Sequence, residues 1–429
     1  MLLGRVLVGA AHPGQEGRSA LHHIELRQEG GTAQLVSSRP PTAAPEGFGV
    51  PYFQRYHDTR SGERVVYVSD QTRGLLRYVV DRGTGALALS DDGEALTIAA
   101  DDAVTPSSGG SGESGSGACC FVLDPTERYL LAANYTAGSV AALGVGDNGS
   151  LSAATVVHHG EGFADNEDYP FGPEWGEHPK YRQGAPHPHG VAVDSTGTYA
   201  LFADLGSNAI HSYRIVGGAA GAAPQLEPVA KLVLQPHAGP RHIEFGPDGR
   251  FAYTVNELDN TLSVLRFDSA TGTVALVQTV SAVPEGWEEA GPRRPTEVYS
   301  KGNHVSELLI SHDGRFAHAS NRGHDTVAVY AIGQSGAEEG WLTAVQWAPT
   351  GGRIPWAMCF AGEGERYVVV VNTHTRGAGV PEPLEGPGQV VALRRDAETG
   401  LLEETGATLP LDEAISICEV PLDAAGGKL

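Results

Sequence analysis

A pattern that recurs seven times along the chain constrains its fold more than any other feature. In six copies a turn is followed by a basic or small residue and an apolar run. An Asp or Asn comes six positions after the basic or small residue: Asp70, Asn134, Asp204, Asn256, Asn321 and Asn372. The N-terminal segment from Arg5 is a weaker seventh copy with Ala11 at that position. Successive copies begin 51 to 70 residues apart, a spacing that indicates an array or ring of similar units.

Each repeat contains enough short β-type runs for one propeller blade. In the copy that begins at Arg128 the runs are 118–125, 129–134, 139–145 and 151–159. Four short strands per repeat without helical periodicity are typical of a blade. We therefore predict an all-β protein, a seven-bladed β-propeller with four-stranded blades. Residues 415–420 resemble the strand before each turn, which the first copy lacks, so this C-terminal strand should join the first blade and close the ring.

Two long segments interrupt the repeats without ending them. Because repeats continue on both sides of each, we predict a single domain over residues 1–429. Residues 106–117 are rich in Gly and Ser and are predicted to be a flexible loop between blades. Residues 161–186 form an insertion before the innermost strand of the fourth blade. Loops of this length are usually functional or disordered, and the aromatic residues of this one make it a candidate lid.

Composition limits the partners and the location of the protein. With 52 acidic and 29 basic residues, the formal net charge is −23, which argues against nucleic acid or an anionic membrane as the main partner. No apolar run reaches the ~20 residues of a membrane helix. The four cysteines lie in apolar runs without metal-site spacing, as free thiols of a reducing compartment would. We expect a cytoplasmic protein, monomeric or weakly homo-oligomeric.

Propeller topology should bring several polar residues to one mouth of the central channel. The strands before and after each repeated turn run in opposite directions, so the start of one and the end of the other lie on the same face. The strand starts include His187, His189, Arg241 and His304, and the positions one past the repeated Asp or Asn include Tyr135, Glu257 and Arg322. Two arginines, a glutamate and one or two histidines should therefore converge from three consecutive blades.

These residue types suit chemistry on a small anion. Arg241 and Arg322 can hold a carboxylate or phosphate, or stabilise an oxyanion. Glu257 or His189 can act as a general base that activates water, so the set meets the needs of lactone hydrolysis. The structural alternative is a salt bridge between Glu257 and Arg322 that only joins two blades. His187 and His189 would also suit a metal ion, but among 17 histidines such pairs arise by chance, and no metal site is predicted.

Around these residues the sequence resembles the seven-bladed lactonase propeller family, which includes bacterial 6-phosphogluconolactonases and fungal carboxymuconate cyclases. The matching segments are 133–140, 182–194, 203–213, 239–261 and 306–330. The resemblance implies that His189, Arg241, Glu257 and Arg322 form the active site. It also implies that lactone rings on sugar acids or muconates are opened or closed without a required cofactor. Residues in and beside these segments are expected to bind the substrate: Tyr135, Arg182, His187, Asp204 and His304.

Three functional hypotheses follow. The first is a hydrolase of a small anionic or sugar-acid lactone, similar to 6-phosphogluconolactonase. The second is a cycloisomerase that uses the same pocket to form a lactone by protonating an enoate. The third is a non-catalytic propeller that binds a ligand or a protein at the same face. Under the first two, the expected partner is a small-molecule lactone or enoate, and no cofactor is expected.

Overall fold

A computed structural model describes residues 1–11, 19–45, 50–70, 74–82, 84–90, 118–163, 182–218, 221–287, 303–373 and 388–422. Within these ranges the chain forms seven antiparallel sheets and a short 3₁₀ helix at Gly336–Glu338. The first blade consists of β1 (Leu2–Ala11), β2 (Ser19–Glu29), β3 (Thr32–Ser37), the short β4 (Thr42–Ala43) and the last strand of the described chain, β29 (Ser416–Glu419).

The other six blades have four strands each. The second blade contains β5 (Phe53–Asp58), β6 (Arg64–Asp70), β7 (Gly74–Val80) and β8 (Leu87–Leu89). The third contains β9 (Cys120–Leu123), β10 (Tyr129–Asn134), β11 (Ser139–Gly144) and β12 (Thr155–His158), and the fourth contains β13 (Pro188–Val193), β14 (Tyr199–Asp204), β15 (Ala209–Val216) and β16 (Gln225–Val233). The fifth contains β17 (Pro240–Phe245), β18 (Phe251–Asn256), β19 (Thr261–Asp268) and β20 (Thr273–Ser281). The sixth contains β21 (His304–Ile310), β22 (Phe316–Arg322), β23 (Thr326–Ile332) and β24 (Leu342–Pro349), and the seventh contains β25 (Pro355–Ala361), β26 (Tyr367–Asn372), β27 (Gln389–Arg395) and β28 (Leu402–Pro410).

The C-terminal strand closes the ring, as the sequence predicts. Strand β29 pairs antiparallel with β1, with Leu7 opposite Cys418, and forms the inner edge of the first blade. The inner strands then contact one another around the channel in the order β29, β5, β9, β13, β17, β21, β25 and back to β29. The predicted all-β, seven-bladed propeller is therefore confirmed.

Alternation along the strands builds the core between blades. In β6, Val65 and Tyr67 pack against the third blade, whereas Val66 and Val68 pack against the first. Successive side chains of a strand point to opposite faces, so an uninterrupted apolar run supplies both interfaces. One hydrophobic cluster of this kind lies between each pair of neighbouring blades in the described chain. A blade is consequently stable only between two others.

The repeated asparagines tie the second strand of a blade to the third. Asn134 donates a hydrogen bond from Nδ2 to Ser139 Oγ at 3.1 Å, and Asn256 does so to Thr261 Oγ1 at 2.8 Å. Both asparagines are buried. Their amides therefore stabilise the turn at the mouth of the channel, the role that short polar side chains play in turns, and they are not part of the site chemistry.

Several sequence predictions concern other parts of the chain. The Gly- and Ser-rich segment 106–117 and most of the insertion 161–186 lie outside the described residues, so the domain assignment stays a prediction. All four cysteines are free, as predicted. None of the helices in the described ranges has the length and apolar character needed to cross a membrane.

Candidate active site

Bulges at the start of four inner strands direct side chains into one mouth of the channel. The pairing register shifts between Pro188 and Gly190 in β13, Pro240 and Ile243 in β17, Val305 and Leu308 in β21, and Pro355 and Ala357 in β25. Proline has no N–H to pair, so it occurs at such strand starts, and a bulge bends the strand and turns a side chain. The residues that follow the three prolines are His189, Arg241 and Trp356.

A buried carboxylate forms the centre of this mouth. Glu257 follows β18 and is surrounded by three guanidinium groups. Its Oε1 lies 2.8 Å from Arg182 Nη2 and 3.2 Å from Arg322 Nη2, and its Oε2 lies 3.1 Å from Arg241 Nε. Glu257, Arg241 and Arg322 are each at most 2% exposed. His304 Nδ1 is 3.7 Å from the same Oε1, so the predicted convergence of three consecutive blades is observed.

The arginines decide the ionisation of Glu257. Burial alone would raise its pKa, but Arg182, Arg322 and Arg241 together hold the pKa of this carboxyl well below its usual value. Glu257 is therefore ionised at neutral pH. With both oxygens held by guanidinium groups, it is a poor proton acceptor while those contacts remain.

Arg241 and Arg322 are each held by further contacts besides the one with Glu257. Arg241 donates from Nη1 to the Ser306 carbonyl at 2.7 Å and to His242 Nε2 at 3.2 Å. His242 in turn donates from Nδ1 to Glu307 Oε1 at 2.5 Å. The Arg322 guanidinium lies 4.6 Å above the ring of Trp356, a cation–π contact that suits a desolvated cation. Two cationic groups are thus fixed toward the mouth before any ligand arrives.

His189 offers a different chemistry from Glu257. Its ring packs edge-on against Tyr135, with ring centroids 5.4 Å apart, and against His242 at 5.3 Å. Burial, with Arg241 next, lowers the pKa of His189 well below its usual value. The imidazole is therefore neutral at neutral pH, and its buried Nδ1 has no hydrogen-bond partner among the described residues. A neutral ring with an unused nitrogen can accept a proton.

The end of the long insertion contributes the third arginine. Arg182 donates from Nε to Tyr135 Oη at 3.2 Å while its Nη2 reaches Glu257. The ring of His187 stacks on Tyr135 at 4.3 Å, and its Nδ1 donates to the Tyr135 carbonyl at 2.9 Å. Tyr135, Arg182 and His187 therefore lie together beside Glu257, and their role in substrate binding stays a prediction.

Asp204 is the one proposed site residue that the described contacts place in a different cluster. Its Oδ1 accepts the backbone N–H groups of His187 at 2.7 Å and Ser207 at 2.9 Å. Its Oδ2 accepts Nδ1–H of His159 at 2.6 Å, and His211 Nε2 lies 3.9 Å away. Asp204 thus holds His187, the residue just before β13, and its carboxylate faces two histidines and not the arginines.

Sequence reasoning missed Tyr52 and Trp356. The ring of Tyr52 lies 6.4 Å from His189 and 6.3 Å from Trp356. Burial raises the pKa of Tyr52, so its hydroxyl stays protonated. A signal was present, because Pro355–Trp356 begins an inner strand just as Pro188–His189 and Pro240–Arg241 do, and Pro51–Tyr52 lies directly before inner strand β5.

The fold and the site together define a class of protein. The chain is a closed seven-bladed propeller whose channel mouth holds a buried carboxylate, fixed arginines and a neutral histidine. The family described as "Lactonase, 7-bladed beta-propeller" matches residues 56–418. The chain belongs to this seven-bladed β-propeller lactonase family.

Known proteins similar to the chain include enzymes of both bacterial and fungal origin. It is 27% identical over 406 residues to the 6-phosphogluconolactonase of Bacillus subtilis strain 168, covering 94% of each chain. It is 32% identical over 307 residues to a protein of Arthroderma benhamiae named "Probable 6-phosphogluconolactonase", covering 69% of this chain and 66% of that one. The structure of the Pseudomonas aeruginosa periplasmic gluconolactonase PpgL has the same fold, with a TM-score of 0.70 at 22% identity over 98% of this chain and 99% of that one.

Proposed function

We propose that the chain hydrolyses a small anionic or sugar-acid lactone. Two of its relatives have names that indicate this activity, "6-phosphogluconolactonase" and "Probable 6-phosphogluconolactonase". The observation that carries the proposal is the Glu257 carboxylate, which lies among Arg182, Arg241 and Arg322 next to the neutral ring of His189. Guanidinium groups bind carboxylates and phosphates in paired hydrogen bonds. The arginines that hold Glu257 can therefore also bind an anionic group of the substrate.

Substrate binding changes the electrostatics of this cluster. An anionic group that takes over contacts from Arg182, the most accessible of the three arginines, leaves Glu257 less strongly held. The pKa of Glu257 then rises, because fewer cations stabilise its ionised form. Arg241 and Arg322, fixed by Ser306 and Trp356, remain available to stabilise the oxyanion.

His189 is the general base of this proposal, because its neutral ring has an unused nitrogen whereas arginines hold both oxygens of Glu257. As water attacks the lactone carbonyl carbon, one water proton passes to His189 and the carbonyl oxygen becomes an oxyanion. The ring C–O bond then breaks, the departing alkoxide takes the proton from His189, and a hydroxy acid remains. The nearby Glu257 carboxylate favours the imidazolium that forms in between, since it raises the pKa of His189.

The test is proton release in weak buffer from 6-phosphogluconolactone, gluconolactone, muconolactone and an aromatic lactone, each corrected for spontaneous hydrolysis. Removing a general base costs about 10²- to 10⁴-fold in rate, so His189→Gln should lose activity to that extent. Because catalysis needs the neutral ring and burial lowers its pKa, kcat/KM of the wild type should hold at pH 6.5 and fall only in more acidic solution.

A matched control separates catalysis from general destabilisation. Glu25 is also held by two arginines, Arg5 at 3.1 Å and Arg27 at 2.7 Å, but on the third strand of the first blade. Glu257→Gln should abolish turnover while Glu25→Gln retains it. Turnover that survives both Glu257→Gln and His189→Gln would contradict the site assignment. A folded wild type inactive on every lactone would contradict hydrolysis, and the corresponding enoates would then test ring closure.

A further inference from the structure

A second cluster of ligand-type side chains lies behind the mouth, between the third and fourth blades. It consists of His159, Asp204 and His211, which come from the residue after β12, the end of β14 and the third residue of β15. The two imidazole rings are stacked, with centroids 3.9 Å apart and planes at 20°. One ligand atom from each of the three residues lies within 4.8 Å of the other two.

We propose that His159, Asp204 and His211 form a binding site for a divalent transition-metal ion of the zinc type. Two imidazole nitrogens and one carboxylate oxygen are a ligand set that zinc and its first-row neighbours accept. Three protein ligands leave a fourth position for water. The site is separate from the proposed lactonase chemistry, and neither proposal depends on the other.

The distances suit an ion after small side-chain movements. With metal–ligand bonds of about 2.1 Å, two ligand atoms of a tetrahedral site lie roughly 3.4 Å apart. The observed separations from Asp204 Oδ2 fall on either side of this value, at 2.6 Å for His159 Nδ1 and 3.9 Å for His211 Nε2. One contact must lengthen and the other shorten by less than 1 Å, which rotations of the side chains can supply. His211 Nε2 must also exchange its 2.9 Å hydrogen bond with Ser207 Oγ for the ion.

The surroundings supply what a metal site needs besides ligands. Asp204 is oriented by the two backbone N–H groups that its Oδ1 accepts, the outer contacts that fix a ligand. The side chain of His159 is 1% exposed, and its Nε2 has no hydrogen-bond partner in the described chain. When an ion replaces the Nδ1–H bond to Asp204, the ring proton can move to this unused nitrogen or be released. The side chain of His211 is 12% exposed, which leaves a path for the ion.

A bound ion would connect the beginning of the long insertion to the wall that carries the active site. His159 lies just before residues 161–186, and the backbone N–H of Phe163 already donates to the Gly206 carbonyl at 2.9 Å. Asp204 holds the backbone N–H of His187, two residues from His189. The ion therefore fastens one end of the insertion to the fourth blade.

The experiment measures zinc bound per chain after chelator treatment, by equilibrium dialysis against ZnCl₂ and elemental analysis. The wild type should bind one zinc per chain, and its melting temperature should rise on zinc addition. His211→Gln should weaken binding at least ~100-fold, more than the loss of an outer-shell contact does, and should abolish the thermal shift. CoCl₂ should give the visible absorption of four-coordinate cobalt with the wild type alone.

His158→Ala is the matched control, because His158 precedes His159 but is exposed. It should bind zinc as the wild type does. Equal affinity in wild type and His211→Gln would overturn the proposal, as would loss of binding in His158→Ala, which would indicate adventitious surface binding. Absence of zinc binding by the folded wild type would overturn the proposal as well. That result would not bear on the proposed lactonase function, which is tested separately by proton release.

Discussion

Removing the charge of Glu257 should destabilise the protein even in the absence of substrate. Glu257→Gln keeps the size of the side chain but leaves Arg241 and Arg322 buried without their counterion. Breaking a buried ion pair from one side costs about 3–5 kcal/mol, because an uncompensated charge stays in the interior. Arg241 keeps the Ser306 carbonyl and Arg322 keeps the Trp356 ring, so we expect the lower end, about 3 kcal/mol.

This loss converts to a modest thermal shift. The entropy of unfolding is roughly 2.1 cal/mol/K per residue, which for 429 residues is about 0.9 kcal/mol/K. A loss of about 3 kcal/mol therefore lowers the melting temperature by about 3 °C. Urea unfolding should show the same loss of free energy and is preferred to guanidinium chloride, because an ionic denaturant would screen the charges.

The reference is Glu25→Gln, which removes a similar pair of contacts, but from arginines that water can reach. Arg5 and Arg27 are 36% and 43% exposed, so water replaces the lost carboxylate and the expected cost is about 0–1 kcal/mol. Sulfate or phosphate should then stabilise Glu257→Gln more than the wild type, because the anion enters the vacated place between the arginines. Equal losses in the two variants, or no added effect of anions on Glu257→Gln, would refute the electrostatic reasoning.

Three further predictions concern the channel and the mouth. Burial and a second carboxylate raise the pKa of Glu244 to about 7. Its neutral form therefore stabilises the fold below pH 4.5, and this contribution is lost as the pH rises through 7. Since Glu244 is only half-buried, Glu244→Gln should stabilise the protein by about 1–2 kcal/mol at pH 8 and hardly at pH 4.5, as urea unfolding would show. Trp356→Leu removes the ring beneath Arg322, a contact of about 1–2 kcal/mol, so kcat/KM should fall roughly 5- to 30-fold. If Trp356→Phe does not recover most of the lost kcat/KM, the ring does not act through a cation–π contact. Gly190→Ala places a Cβ 2.3 Å from a backbone oxygen of β17 and should lower the melting temperature and the activity together, whereas Gly160→Ala, with open space around it, should change neither.

Much of the fold can be read from the order of residues, because a propeller is made of local units. The run Val65–Val68 supplies apolar side chains to both neighbouring blades without help from distant sequence. Asn256 and the Asp or Asn at the same position of the other repeats mark where the second strand of each blade ends. The ring closure by residues 415–420 also follows from the sequence, because the first repeat lacks the strand that these residues resemble.

The four central site residues are predictable for a related reason. Antiparallel strands of known length place the start of one and the end of the next at the same mouth, so Arg241 and Glu257 must meet if blades form at all. The contact of Arg182 with Glu257 is different, because Arg182 ends a long insertion whose path is not encoded by the repeat.

The sequence by itself determined the number of blades, the closure of the ring and the mouth at which the charged residues gather. Only the tertiary structure decided which side chains touch there. It brought Tyr52 and Trp356 beside His189 and Arg322, and it turned Asp204 away toward His159 and His211. The physical reason is that strand period and repeat length are local properties of the chain, whereas the direction of a side chain at a bulge depends on how neighbouring blades pack.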